Sequence, residues 1–370
     1  MLAGRKGHAR VVVLAVLEHE FDAVRNALGA DYEVNFGGAL TATQVIVAKP
    51  TLPFVLIRSQ GRSLAPTNAS ARKAIEDWQP EVILLVGIAG GIVRATEEDG
   101  SFTWGSDGPL PGDIIVSNYV HYAEFTKNIP SGTKLRYFPV DQPSSTLVQE
   151  HADPLRKPVA NIPPWYATIQ QSRPRSIGFA RELPEVFIGE MIHVEGLAGD
   201  PQNAHQQWYL TWFDHAIGVD MESIGVARAL HDARTNVHYN PTWLCVRSVS
   251  DLVFALPTGI GGVSIPNCSR DANANKQPVV EAGVAEVGGD EGAPSKDDEN
   301  TRARREWTPY AVDALGCFTR RIVERLVSQP REARSGDPGT DAFNGWVSVA
   351  KVSSDTPSGQ NWEDKGEVNQ

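Results

Sequence analysis

The sequence predicts an α/β protein whose mainly parallel sheet is covered by helices on both faces. Short apolar runs of strand length, such as Val11–Leu17 and Val82–Val86, recur without polar alternation. Strands buried on both faces read this way. Between them lie segments with apolar positions at helical spacing, the βαβα order of a layered α/β domain. At 370 residues and 41% hydrophobic, the chain can bury the core of one large domain or two ordinary ones.

The elements follow in order. Residues 11–17 form a first strand, and 21–28 a helix with apolar positions at Phe21, Val24 and Leu28 and Gly29 as its stop. Val45–Ala48 and Phe54–Ile57 are strands, each near a proline that marks a turn. Residues 68–78 make a helix that ends before Pro80. The strongest strand, Val82–Val86, runs directly into Gly87-Ile88-Ala89-Gly90-Gly91, which reads as a glycine loop at the strand's carboxyl end. Asp113–Ser117 is a further strand. Residues 128–180, rich in Pro, Ser and Arg, form an excursion with some helix. A strand end and helix over 218–230 follow, then a strand over 243–249 and a closing helix over 309–326.

Two segments fall outside this pattern. Residues 257–305 are rich in Gly, Pro, Asn and acids, with too little apolar surface to offset the entropy of ordering, and read as a mobile insertion. The tail over 329–370 has a similar composition and reads as disordered. One domain over 1–328 is therefore expected.

A net charge of −11 argues against a nucleic-acid footprint, though a locally basic pocket inside an acidic protein can take a small anion. Cys245, Cys268 and Cys317 are odd in number and far apart, which fits neither a disulfide framework nor a metal knuckle. His193, His205, His215, His231 and His238 lack metal-ligand spacing and read as surface or satisfied core residues. Neither metal nor cofactor is expected. Glu18, His19 and Glu20 interrupt the first apolar run before any small-residue cleavage site, and no run approaches membrane length. A cytoplasmic protein is the expectation.

Two segments carry the chemistry. Gly218–Arg228 sends Asp220, Met221 and Glu222 out of a strand into a small-residue helix start, and Cys245–Asp251 is an apolar strand that ends in Arg247, Ser250 and Asp251. A buried carboxylate needs partners, and a sugar's vicinal hydroxyls would supply two to Glu222. Asp251 at its strand end can hold or deliver a proton, unless Arg247–Asp251 is only a structural ion pair. Gly87, Ala89 and Gly90 sit where open α/β sheets bind ligands, or else form a tight turn without one. Glu18 and Glu20 stand at a helix start, where either can simply balance the helix dipole.

Together these blocks resemble the purine nucleoside phosphorylase/uridine phosphorylase superfamily, and within it the 5′-methylthioadenosine/S-adenosylhomocysteine nucleosidases. The matching blocks are Ala15–Arg25, Ser59-Gln60-Gly61, Val86–Ile92, Pro111-Gly112-Asp113, Asp220–Ser223, Val246–Asp251 and Trp307–Ala311. They cover about 1–125, 186–255 and 305–328. The Met-Glu block followed by Arg-x-x-Ser-Asp is the most specific part.

The resemblance implies a single three-layer αβα domain with a central mixed, mainly parallel sheet. It implies cleavage of the N-glycosidic bond of a purine nucleoside through an oxocarbenium-like ribose, in a protein that assembles as a homo-oligomer. Asp251 would protonate purine N7, Glu222 would grip the ribose with Met221 against the sugar face, and Glu20 would activate water. Arg247 would orient or tune Asp251. The residues that bind phosphate in related phosphorylases are not matched, which favours water as the nucleophile. The chain departs from the nucleosidase pattern at Ile88, where those enzymes place a serine. It departs again at Ala198-Gly199-Asp200-Pro201-Gln202, where a Ser-Gly-Asp is followed by an aromatic that stacks on the purine. Arg58 and Arg62 fall near a phosphate site of related enzymes, so they mark either a solvated helix entrance or a nucleotide substrate such as AMP or ATP. The alternatives to hydrolysis are phosphorolysis, a nucleotide-depleting effector, or a non-catalytic nucleoside-binding module.

Overall fold

A computed structural model describes residues 9–328 except 30–32, 36–43, 48–53, 99–100, 106, 130–131, 175–180, 197–202, 235–239 and 257–295. The chain folds as β1 (Val11–Ala15), α1 (Glu18–Leu28), β2 (Glu33–Asn35), β3 (Gln44–Val47), β4 (Phe54–Arg58), α2 (Leu64–Trp78), β5 (Val82–Glu98), β6 (Ser101–Trp104) and β7 (Ile114–Tyr122). There follow the hairpin β8 (Thr126–Ile129) and β9 (Gly132–Leu135), the short turn α3 (Ser145–Leu147), β10 (Val186–His193) and α4 (Ala204–Trp212). Last come β11 (Ala216–Asp220), α5 (Ser223–Ala233), β12 (Thr242–Ala255) and α6 (Lys296–Ser328).

One ten-stranded sheet runs β11-β10-β7-β12-β5-β1-β4-β3-β2, with β6 paired to β5. β1 lies parallel to β4 and β5, β12 parallel to β5, and β10 parallel to β7 and β11. β7–β12, β2–β3 and β3–β4 are antiparallel. The sheet is therefore mixed and mainly parallel, with helices on both faces, as expected. The far part of β5 also meets β11, pairing Gly91 with Gly218 and Gly90 with Val219. That contact curls half of the sheet into a closed ring of β11, β10, β7, β12 and β5.

The unalternating runs reflect two cores. Val11, Val13 and Ala15 face one cluster with Phe21, Val24, Leu315 and Phe318 from α1 and α6. Val12 and Leu14 face the other, with Ala71, Ala74, Ile224, Ala227 and Leu230 from α2 and α5. Each fully buried Val or Leu contributes about 1.5–3 kcal/mol, so a strand such as β1, whose five residues are all buried, anchors both layers at once.

Three observations correct the sequence-based expectations. Gly87–Gly91 is not a loop: β5 continues through the glycines to Glu98. β12 does not end at Asp251 but runs on to Ala255 beside it. The closing helix starts at Lys296, so residues 296–305 belong to α6 and not to an insertion. β10 and α4 have no counterpart among the expected elements. Residues 257–295 and 329–370, expected to be mobile or disordered, lie outside the described residues. Among the described residues no helix is long and apolar enough to cross a membrane.

Candidate active site

A cleft lies beyond the carboxyl ends of β1 and β11, against the middle of β5 and β12, and is bounded by α6. Its walls include Leu17, Glu20, Arg62, Ala89, Gly90, Met221, Glu222, Ser250, Asp251 and Arg304. Residues far apart in sequence meet here because β1 and β11 end beside the stretch where β5 and β12 pair through the glycines.

Glu20 comes from the first turn of α1. One carboxylate oxygen accepts the backbone N–H groups of Val16 at 3.1 Å and Leu17 at 2.7 Å, which caps the helix start. The other accepts the Ile88 N–H of β5 at 2.8 Å. Two backbone donors from the turn between β1 and α1 and one from β5 hold a side chain that is 2% exposed, which fixes it against the sheet.

Glu222 stands at the entrance to α5 and reaches the loop after β4, where the Ser63 N–H lies 3.5 Å from Oε1. Burial pushes its carboxyl above the usual range; Arg247 pulls against this, while the charges of Asp220 and Glu20 add to it. Asp251 belongs to β12 and accepts a hydrogen bond from the Ser250 hydroxyl. Burial raises its carboxyl as well, against the opposing pull of Arg304 and Ser250.

Arg247 is not the partner of Asp251. Its guanidinium is fully buried and donates from Nε and Nη2 to Asp220 Oδ2, at 3.1 and 2.6 Å, and from Nη2 to Glu222 Oε2 at 3.3 Å. The cause is a β-bulge. Residues four apart on a regular strand share a face. The register between β12 and β5 shifts between Val249 and Asp251, so one extra residue turns Asp251 into the cleft while Arg247 points beneath it. Arg247 therefore forms the floor of the site and not its lining.

Gly87 belongs to that floor too. A Cβ there would stand 2.2 Å from Arg247 Nη1 and 3.0 Å from Glu20 Oε1. The room that its missing side chain leaves is filled by the guanidinium, not by a ligand. Ala89, Gly90, Ser250 and Met221 do line the cleft. Asp200 lies outside the described residues. Of the two basic candidates, Arg62 lines the cleft, whereas Arg58 is ion-paired to Glu18 at 3.6 Å and does not.

Three residues without an expected role complete the assembly. Asp220 ends β11, accepts the Ser223 hydroxyl at 2.7 Å and pairs with Arg247; burial pushes its carboxyl up, but Arg247, His193 and Ser223 together hold it well below the ordinary range. His193 ends β10, fully buried 3.5 Å from Asp220 Oδ1 and 3.4 Å from Glu195 Oε1. Burial alone would lower its pKa, and the two acids raise it. Arg304, from α6, places Nε 3.9 Å from Asp251 Oδ1. The one sequence signal for Asp220 was its place in the Asp220–Ser223 block; Arg304 had none, lying in a stretch charged on all sides. Among the described residues no group of three or more His, Cys, Asp or Glu side chains is arranged to hold a metal ion.

The fold is shared with solved structures of nucleosidases. No protein-family model matches the sequence, and no curated protein is similar to it. Solved structures do match across most of the chain. A Borrelia burgdorferi protein assigned as a 5′-methylthioadenosine/S-adenosylhomocysteine nucleosidase, bound to adenine, is 16% identical with a TM-score of 0.53, covering 85% of this chain and 99% of that one. The Neisseria meningitidis nucleosidase in complex with methylthio-immucillin-A is 13% identical with a TM-score of 0.52, over 85% and 98% of the two chains. Futalosine hydrolase of Helicobacter pylori is 12% identical with a TM-score of 0.52, over 85% and 97%. At these identities the likeness is one of fold.

Proposed function

We propose that this protein hydrolyses the N-glycosidic bond of a purine nucleoside and releases the free base. The observation that carries the reading is the convergence of Glu20, Glu222 and Asp251 on one cleft, from three separate elements. Bond cleavage makes the ribose cationic at C1′ and leaves negative charge on the departing base. A proton delivered by Asp251 to purine N7 neutralises the base, and a carboxyl raised by burial carries that proton to higher pH than an ordinary aspartate. Glu222 accepts the ribose hydroxyls, and Glu20, held open toward the cleft by its backbone donors, takes a proton from the attacking water. Fixed carboxylates close to an oxocarbenium stabilise it without reorganising during the reaction. The neighbours whose names describe nucleosidases and a futalosine hydrolase are consistent with this chemistry on the shared fold.

Arg62, in the wall of the cleft and next in sequence to Ser63 at Glu222, leaves room in this reading for a substrate with one anionic group on the ribose. The engagement of Arg58 by Glu18 does not favour a longer phosphate chain. Chromatography of bases released from a nucleoside and nucleotide panel, with and without inorganic phosphate, tests the proposal. Phosphate-independent release is expected. Asp251→Asn should lower it by about 10²–10⁴-fold while ligand still binds. Release that requires phosphate would replace hydrolysis by phosphorolysis.

A further inference from the structure

Arg304 reaches the cleft because the helix behind it is clamped. Trp307 is fully buried, and Tyr310 packs on Gly112. Gly112 adopts φ +92°, and a Cβ there would stand 2.6 Å from the Tyr310 ring and 3.4 Å from Trp307. This close approach sets the height and rotation of α6. One turn earlier, the Arg304 carbonyl accepts the Thr308 hydroxyl, and the guanidinium projects over the acid end of the cleft. Its Nε is 3.9 Å from Asp251 Oδ1, beyond hydrogen-bond reach, and the side chain is 32% exposed. Among the described residues it has no other ion-pair partner. Among the described residues no acceptor takes its donors, and they face the space in which a ligand would lie against Asp251.

The chemistry of the purine decides what those donors can recognise. N7 and the substituent at C6 lie on the same edge of the ring system. N7 is an acceptor in every purine, whereas C6 carries an acceptor oxygen in hypoxanthine and guanine and a donor amino group in adenine. Arginine has donors only. With Asp251 at N7, the guanidinium beside it meets the C6 substituent: a carbonyl accepts its N–H, whereas an amino group opposes donor to donor. Resting on the nucleosidase reading, we infer that the substrate is a 6-oxopurine nucleoside, with Arg304 the specificity-determining residue that donates to O6.

Inosine and adenosine, which differ only at C6, form the test pair, together with the affinities of free hypoxanthine and adenine by calorimetry. Wild-type protein is expected to prefer inosine in kcat/KM and hypoxanthine in Kd by about ten- to a hundredfold, the discrimination of a good arginine–oxopurine contact. Arg304→Gln should remove most of that preference and Arg304→Lys should restore part of it. Equal or better handling of adenosine and adenine by the wild type, or a preference that survives in Arg304→Gln, would overturn the inference. Cleavage of neither nucleoside, nor of either 5′-monophosphate, would defeat the nucleosidase reading, yet the base affinities would still decide the role of Arg304. Binding of neither base would refute both.

Discussion

Gly87→Ala adds a single methyl group and should damage both stability and activity. The new Cβ would stand 2.2 Å from Arg247 Nη1, so the guanidinium must retreat by more than about 1 Å to reach ordinary contact. The tip of an exposed arginine would move at little cost. This one is fully buried and tethered to Asp220 through Nε and Nη2 at 3.1 and 2.6 Å. Overpacking alone costs about 1–3 kcal/mol, and loss of a hydrogen bond to a charged group adds about 1.5–3 kcal/mol if the tether breaks. A loss of about 3 kcal/mol in a domain of this size corresponds to a fall in Tm of roughly 4–6 °C. The same methyl would stand 3.0 Å from Glu20 Oε1, and a catalytic group displaced by about 1 Å can lose about 10²-fold in rate. Thermal and urea unfolding, with base-release assays below the transition, measure both effects. Gly61→Ala is the control: its Cβ would meet only Pro66, at 3.4 Å, and the change should stay within about 1 kcal/mol. If Gly87→Ala is as benign as Gly61→Ala, the floor is not packed as described.

Three other outcomes follow from the same site. Arg247→Met leaves Asp220 and Glu222 without their shared counter-charge and should cost about 3–5 kcal/mol; adding Asp220→Asn should cost less than the separate changes predict, which a urea double-mutant cycle reads directly. Glu222→Gln should weaken nucleoside binding by roughly tenfold or more while free-base affinity is unchanged, as calorimetry with both ligands would show. The alkaline limb of kcat/KM should lie above the ordinary aspartate value of 3.8, because burial raises the Asp251 carboxyl and activity needs its proton; rising pH removes that proton. Arg304 pulls the same carboxyl down, so Arg304→Gln should move the limb to higher pH, and a limb that stays in place would contradict their coupling.

The legible part of this protein was the part governed by burial. Strands such as β1 and the start of β5 announce themselves because both faces are covered. Glu222 and Asp251 stand out because a carboxylate at the end of an apolar strand has few structural uses. What was not legible depends on pairing between distant segments. The glycines after Val86 look like a break, yet β12 and β11 supply ladder partners that keep β5 extended through them. The bulge near Ser250 leaves no local signature, so Arg247 looked like the neighbour of Asp251 when it serves Asp220 and Glu222. His193 reads from the sequence as a surface or satisfied core residue, and the pairing of β10 with β11 brings it to Asp220. Arg304 sits among charges with no helical stripe, and its place follows from Trp307 and Tyr310 alone.

The glycine run paired with β12 has a consequence for how this protein would fail. The floor and the acid sit on the two central strands of the sheet, and Glu20 is tied by its Ile88 contact to one of them. Central-strand amides exchange with solvent through the opening of the whole domain and not through local fraying. The amides of 84–90 and 244–251 should therefore be the last to exchange, with activity and tertiary structure disappearing in one transition. A site assembled on mobile loops can lose function by degrees; this one should lose it together with the fold.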